Sequence, residues 1–257
     1  VKPIYFVGAG PGDPELITLK GARLLAEADL VLYAGSLVPE AVLAHCRPQA
    51  RRVSSAGLDL QAQVDLMVEA AGQGRTVVRL HSGDPDLYGA VQEQRQLLAR
   101  AGLRSETVPG VTAALAAAAA LNQELTLPEV SQTVIFTRLS GRTPVPQREA
   151  LAGLARHRAT LCLYLSVGLI EEAAAGLLEG YPPQTPAAVA FRVSWPEQRL
   201  IRTSLANLAE AVRAAGIERQ AIILVGPALA EGDIEAFSKL YDAEFSHGER
   251  QARGDDD

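Results

Sequence analysis

The sequence predicts an α/β protein built as two successive α/β domains with mixed sheets, and three observations lead there. Short apolar runs, such as Ile-Tyr-Phe-Val at 4–7 and Leu-Val-Leu-Tyr at 30–33, alternate with longer segments of helical spacing. Turns rich in glycine or small residues separate them. The alternation runs through most of a 257-residue chain, a length suited to two medium domains at about 100–200 residues each. Helix propensity fades over 122–130, where Pro128 interrupts, and this marks a hinge. The expected division is an N-terminal domain over 1–121, a C-terminal domain over 122–245 and a disordered acidic tail over 246–257.

The first strand, 4–7, runs into Gly8-Ala9-Gly10-Pro11-Gly12-Asp13, and Thr18 caps a helix that reaches about 28. Three glycines within five residues let the backbone turn sharply and approach a ligand with no Cβ in the way. The Gly-x-Gly-x-x-Gly dinucleotide pattern fails at Asp13, and no Gly-Lys-Ser/Thr follows to make a phosphate loop. A structural turn and a site wall both remain open for this stretch. The second strand, 30–33, ends in Ala34-Gly35-Ser36-Leu37-Val38-Pro39. Residues 60–71 have helical spacing, with Leu60, Val64, Met67 and Val68 on one side.

A strand over 76–80 ends in His81-Ser82-Gly83-Asp84-Pro85-Asp86, followed by an expected helix over 87–101. Asp84 or Asp86 could cap that helix, or Asp84 could accept hydrogen bonds from a ligand's ribose or amine. A brief strand leads to Val108-Pro109-Gly110-Val111-Thr112 and the alanine helix 113–120. In the second half, strands are expected over 133–138, 160–165, 187–193, 200–203 and 221–225, and helices over 147–155 and 168–178. Residues 194–198 form a hairpin turn, and Ser204 caps a further helix reaching about 215. Open α/β sheets bind ligands in the loops at the carboxyl ends of their parallel strands, and the glycine-bearing turns fall there.

Composition narrows the function. With 24 Lys and Arg against 30 Asp and Glu, and a pI near 5.4, the chain is not expected to bind nucleic acid. The alanine run is too short to span a membrane, and no charged, apolar leader opens the chain, so a cytoplasmic location is expected. Cys46 and Cys162 lack metal-ligand spacing and read as free thiols in a reducing compartment; no metal is expected.

Taken together and in order, Gly8-Ala9-Gly10-Pro11-Gly12-Asp13 with Leu16 and Thr18, Ser82-Gly83-Asp84-Pro85, and Val108-Pro109-Gly110-Val111 resemble the tetrapyrrole (corrin/porphyrin) methylases. The segment 160–166 and Trp195-Pro196-Glu197-Gln198-Arg199 are similar to that family's later landmarks, so the resemblance covers about 4–229. Tyr33-Ala34-Gly35-Ser36-Leu37-Val38, the run 125–133 and Gly141-Arg142-Thr143-Pro144-Val145-Pro146 resemble its precorrin-4 C(11)-methyltransferase branch. Ala34 and Gly35 stand where uroporphyrinogen-III methyltransferases carry an Asp-Arg pair, which counts against that alternative.

The resemblance implies S-adenosylmethionine (SAM) as methyl donor, S-adenosylhomocysteine as product, a cleft between two domains, and a homodimer. The implied reaction is C-methylation of precorrin-4 or cobalt-precorrin-4 at C-11 in cobalamin biosynthesis. Alternatives are another tetrapyrrole carbon or, within the same fold, a diphthine or ribosomal-RNA methylase. Carried over residue by residue, the implied donor contacts are Pro11, Ser82, Gly83, Asp84, Leu87, Thr112, Ala113, Leu165, Val193 and Ile222. The implied tetrapyrrole side is Gly10, Gly12, Asp13 and Ser36. A polycarboxylate substrate calls for forked guanidinium groups. Arg138 and Arg142 are the preferred pair, with Arg52, Arg79, Arg192 and Arg199 as further candidates. For a proton acceptor, His81, Tyr88 and Asp84 are candidates in or beside the donor turn, with a backbone-bonded, structural histidine as the competing reading of His81. Trp195 reads equally as a hairpin-core residue or a site wall.

Overall fold

β1 (Ile4–Gly8) sits between β4 (Val77–His81) and β5 (Ser105–Val108), and this placement organises the first sheet of the computed structural model. The order is β3-β2-β4-β1-β5, with β2 at Leu30–Tyr33 and β3 at Arg51–Ser54, and all pairs are parallel. The structure describes residues 2–232, 237–239, 245, 246, 248, 250 and 251. Most of the tail expected to be disordered, 246–257, therefore lies outside the described residues.

A parallel sheet must be covered on both faces, which is why its strands read as continuous apolar runs. On one face Val7, Val31, Val78, Leu80 and Val108 pack with Leu24 and Leu25 of α1 (Leu19–Glu27) and Val42 and Leu43 of α2 (Glu40–Leu43). On the other, Ile4, Phe6, Leu30, Leu32 and Val77 pack with Val64 and Met67 of α3 (Leu60–Gly72) and Val91 and Leu98 of α4 (Val91–Arg100). Each such fully buried side chain contributes about 1.5–3 kcal/mol. Thr18 and Asp59 cap α1 and α3 by accepting from the N–H groups of Gly21 and Ala62.

The second sheet has the order β6-β7-β10-β8-β9, with β6 at Val134–Arg138, β7 at Thr160–Tyr164, β8 at Pro186–Phe191, β9 at Arg199–Ser204 and β10 at Ala221–Val225. It is mixed: β6 and β7 are parallel, while β10 runs antiparallel to both β7 and β8. One face carries a core of Leu161, Leu163, Val189, Ile223 and Val225. Packed on it are α6 (Leu151–Ala155), α7 (Ile170–Leu178) and α8 (Leu208–Ala214). The alanine helix is α5 (Ala113–Ala120), and no helix among the described residues is long and apolar enough to cross a membrane.

Two compact units result: Val1–Ala120 with Arg192–Arg199, and Leu121–Phe191 with Leu200–Asp257. The segment joining β8 to β9, which chain order puts in the later half, thus groups with the first sheet.

The structure departs from the sequence reading at several places, among them the unexpected α2 and the later starts of α6 and α7, at Leu151 and Ile170. The helix expected from 87 begins at Val91, because Tyr88 and Ala90 take left-handed backbone angles (φ +57° and +49°) that no helix tolerates. The strand expected to reach 193 stops at Phe191, since Arg192 and Ser194 are also left-handed. Ser204 makes no side-chain cap; a single turn, Leu205–Asn207, precedes α8. The edge strand β3, with its two arginines, is additional.

Candidate functional site

The strand order places the carboxyl ends of β2, β4, β1 and β5 side by side, so the four turns that follow them are neighbours. Ser36 lies in the single turn Gly35–Leu37 after β2. Gly10, Pro11, Gly12 and Asp13 follow β1; Ser82, Gly83, Asp84, Leu87 and Tyr88 follow β4; Thr112 and Ala113 lead from β5 into α5.

Direct backbone bonds tie these turns together. Gly10 and Gly83 form an antiparallel bridge, with N–H to carbonyl distances of 3.3 and 2.8 Å, and Ala9 N–H donates to the His81 carbonyl at 2.7 Å. A Cβ on Gly8 would stand 2.6 Å from the Gly110 backbone and from the Gly83 carbonyl oxygen, and one on Gly110 would stand 2.2 Å from that oxygen. These two glycines are needed for close packing of backbone on backbone.

Gly83 differs. Its φ of +61° favours glycine, and a Cβ there would make only ordinary van der Waals contact, with the Thr112 α-carbon at 3.8 Å and the Val111 carbonyl oxygen at 3.9 Å. Asp84 accepts from Asp86 N–H through Oδ1 (2.8 Å) and from Gly110 N–H through Oδ2 (2.9 Å). It thus pins the β4 turn to the β5 turn instead of capping a helix. Asp13 likewise uses Oδ1 to accept from Glu15 N–H at 2.8 Å, at the start of the single turn Pro14–Leu16.

The 192–199 segment lies on the glycine-rich turn. Trp195 Nε1 donates to the Pro11 carbonyl at 2.9 Å, and Ser194 Oγ accepts from Asp13 N–H at the same distance. Trp195 thus packs on the glycine-rich turn. Ser194 carries no sequence signal; its contact spans 181 residues. Val193, between the two left-handed residues, is buried.

Beneath the β4 turn lies a buried polar layer. Arg79 donates to Gln63, Gln94 and the carbonyls of Leu32 and Leu80, and burial lowers its pKa to about 10. These partners engage it inside the fold, away from any substrate carboxylate. Arg95 reaches Asp86 at 2.6 Å and Thr107, and its guanidinium lies 5.5 Å from the Phe6 ring centre. His81 stacks on Phe6 at 5.9 Å, is 5% exposed, and its Nε2 has no hydrogen-bond partner. Burial first, then the charges of Arg79 and Arg95, lower its pKa to about 3, so at neutral pH it is an uncharged core group. Tyr88, by contrast, is 43% exposed.

Arg52, in β3, and Arg199 belong to the first unit, whereas Leu165, Ile222, Arg138 and Arg142 belong to the second, the first three at one end of its sheet. Arg138 pairs with Tyr164 in register, Leu165 follows Tyr164, and Ile222 pairs with Ala190 near the start of β10. Leu165 is left-handed (φ +54°) and 72% exposed, an unusual combination for an apolar, branched residue. Ile222 is buried. Arg138 donates to the carbonyls of Leu139, Thr143 and Pro144, bracing the loop that carries the exposed Arg142.

Comparison with known proteins places this arrangement. The family model of the tetrapyrrole (corrin/porphyrin) methylases matches residues 3–209. The cobalt-precorrin-4 C(11)-methyltransferase of Methanocaldococcus jannaschii is 46% identical, over 98% of this chain and 97% of that protein. The precorrin-4 C(11)-methyltransferase of Pseudomonas aeruginosa is 49% identical, over 95% and 97%. Among solved structures, a cobalt precorrin-4 methyltransferase described as a cobalamin biosynthetic enzyme superposes with a TM-score of 0.87 at 46% identity, covering 89% of this chain and 96% of that one. Uroporphyrin-III C-methyltransferase from Thermus thermophilus, solved with S-adenosylhomocysteine, gives 0.73 at 33% identity, over 89% and 93%. The glycine-bearing turns at the ends of β1, β4 and β5 all fall within the matched span, and the chain belongs to the tetrapyrrole (corrin/porphyrin) methylases.

Proposed function

We propose that this chain is a SAM-dependent C-methyltransferase that acts on precorrin-4 or cobalt-precorrin-4 at C-11, in cobalamin biosynthesis. The observation that carries the reading is the left-handed Gly83, uncrowded at its α-carbon and framed by the turns after β1 and β5. A bound donor needs backbone approach and small polar groups, because SAM carries no phosphate to be held by a helix end. Gly83 with the half-buried Ser82 and Thr112 fits that need, and Leu87 and Ala113 flank it. Pro11, Val193, Leu165 and Ile222 complete the proposed donor contacts.

When bound, SAM supplies a methyl group already activated on a sulfonium, so the chain needs no nucleophile of its own. Its task is to orient the acceptor carbon and exclude water, and such positioning is worth about 7–11 kcal/mol. Gly10, Gly12, Asp13 and Ser36 are the proposed tetrapyrrole side, with Arg142 offering a guanidinium to a substrate carboxylate and Arg138 shaping the loop that presents it. His81, neutral and buried, is not assigned the proton; Tyr88 is the exposed candidate. We also propose a homodimer and a cytoplasmic setting, the latter in keeping with the two free, buried thiols Cys46 and Cys162.

Incubation with methyl-labelled SAM and each of a series of tetrapyrrole intermediates, followed by carbon NMR, tests the assignment. A label at C-11 of precorrin-4 or its cobalt form is expected. A label at another ring carbon replaces the substrate assignment, and no transfer to any tetrapyrrole overturns the reading.

A further inference from the structure

We infer that the 192–199 segment is a strap, and that Trp195 is the positioning residue that holds the glycine-rich turn after β1 in the shape that receives the acceptor. The inference rests on the reading above, that this turn faces the tetrapyrrole. Three contacts fall on three consecutive residues of the turn. Trp195 Nε1 donates to the Pro11 carbonyl at 2.9 Å, and Ser194 Oγ accepts from Asp13 N–H at 2.9 Å. Between them the indole lies flush on Gly12: a Cβ there would come within 2.1 Å of Cδ1 and 2.3 Å of Nε1.

The strap is itself braced. The Arg192 guanidinium lies 5.2 Å from the centre of the Trp195 ring system and pairs with Glu197 at 3.6 Å, while Gln198 Oε1 accepts from Ser194 N–H at 2.7 Å. Arg192 and Ser194 both take left-handed angles (φ +43° and +67°). Non-glycine residues persist there only where their surroundings over-determine them, and such strain gathers at ligand clamps. Gly12 has no left-handed requirement of its own, and the three nearest atoms that a Cβ there would meet all belong to Trp195.

Two properties make this testable in the full chain. Gly12→Ala is allowed by the φ of its backbone and meets the indole first. Trp195 is the sole tryptophan, so intrinsic fluorescence reports on it without labelling. Gly12→Ala is expected to lift the indole and shift its emission to the red. Gly12→Ala and Trp195→Ala should each raise the tetrapyrrole KM by about tenfold or more, the size of effect a small misplacement produces. SAM affinity, by calorimetry, should fall by less than the tetrapyrrole KM rises, because this turn and strap meet the donor only at Pro11 and Val193, and the melting temperature should fall modestly, through the lost packing and the lost N–H bond to Pro11. The double variant should be no worse than Trp195→Ala, since the added methyl then fills the vacated space. Trp195→Phe, which keeps the ring and loses the N–H, should fall between.

Unshifted emission in Gly12→Ala, losses that add in the double variant, or equal loss of SAM affinity would overturn the strap's positioning role. A parent protein that transfers methyl to no tetrapyrrole would instead defeat the functional reading, while the emission shift would still decide the contact between strap and turn.

Discussion

Asp84 and Gly110 are joined across 26 residues by a 2.9 Å hydrogen bond from the glycine N–H to Oδ2, while the other carboxylate oxygen holds Asp86 N–H. The aspartate fixes the relative positions of two turns of the proposed donor site, one bearing Gly83 and the other leading to Thr112.

Replacing Asp84 should therefore cost stability and donor binding together. Asp84→Ala removes an acceptor from two backbone N–H groups, and a loss of roughly 1–3 kcal/mol is expected. Asp84→Asn retains one acceptor oxygen and should lose less. SAM affinity should weaken in the same order when followed by calorimetry beside thermal melting. A stable Asp84→Ala protein with unchanged affinity would remove the pin from the account.

His81 gives a prediction with a definite sign. Its pKa is 6.5 when unperturbed and is lowered to about 3 in the fold. Between those values the unfolded chain binds the proton and the folded one does not, so stability rises with pH in that window. The stabilisation is fully present above pH 6.5 and is lost progressively as pH falls toward 3. The total is on the order of a few kcal/mol. His81→Leu also removes the buried Nε2 that has no partner, so it should melt with a flatter pH dependence at little or no cost near neutrality. The neutral limb of the methylation pH profile should not move. Identical melting slopes in the two proteins would show that the imidazole does not stay neutral.

These two residues also show what could be read before the fold was known. Strands such as Ile4–Gly8, Leu30–Tyr33 and Ala221–Val225 announce themselves because both faces of each are covered, leaving unbroken apolar runs. β3 does not, since its two arginines are exposed at a sheet edge. The Leu87-Tyr88-Gly89-Ala90 stretch looks helical by composition, but its conformation is set by contacts around the β4 turn; a Cβ on Gly89, for instance, would stand 2.1 Å from the Pro85 carbonyl oxygen. The glycine-bearing turns were visible one by one. Their meeting was not, because it depends on β1 lying between strands that come much later in the chain. The docking of Trp195 on Pro11, across 184 residues, left no local trace.

Arg138 and Arg142, paired in the sequence reading, should separate in experiment. Arg138 spends its donors on three carbonyls of its own loop, whereas the Arg142 side chain is exposed. Arg138→Ala should loosen the 139–146 loop, seen as faster amide exchange there and a melting loss of about 1–2 kcal/mol. Arg138→Lys should not restore it, since a single ammonium cannot reproduce the fork. Arg142→Ala should leave the melt unchanged and raise the tetrapyrrole KM, by about tenfold for one lost carboxylate contact. An Arg142→Ala enzyme with unaltered KM would exclude that guanidinium from substrate binding.

Leu165 poses stability against affinity. A left-handed leucine costs about 1–2 kcal/mol relative to a residue at ease there, and with 72% of its surface exposed it recovers little through burial. Glycine relieves the strain but adds freedom to the unfolded chain, an offset of about 0.5–1 kcal/mol. Leu165→Gly should therefore melt at the same temperature or slightly higher. If the side chain is exposed because it meets the donor, the same change should weaken SAM binding by about tenfold, the loss of roughly 1.4 kcal/mol of apolar contact. Leu165→Met, which keeps an apolar chain of similar length, should preserve affinity. Opposite movement of melting temperature and affinity in the glycine variant would mark Leu165 as a residue held under strain for its ligand, whereas unchanged affinity would leave the strain without a function.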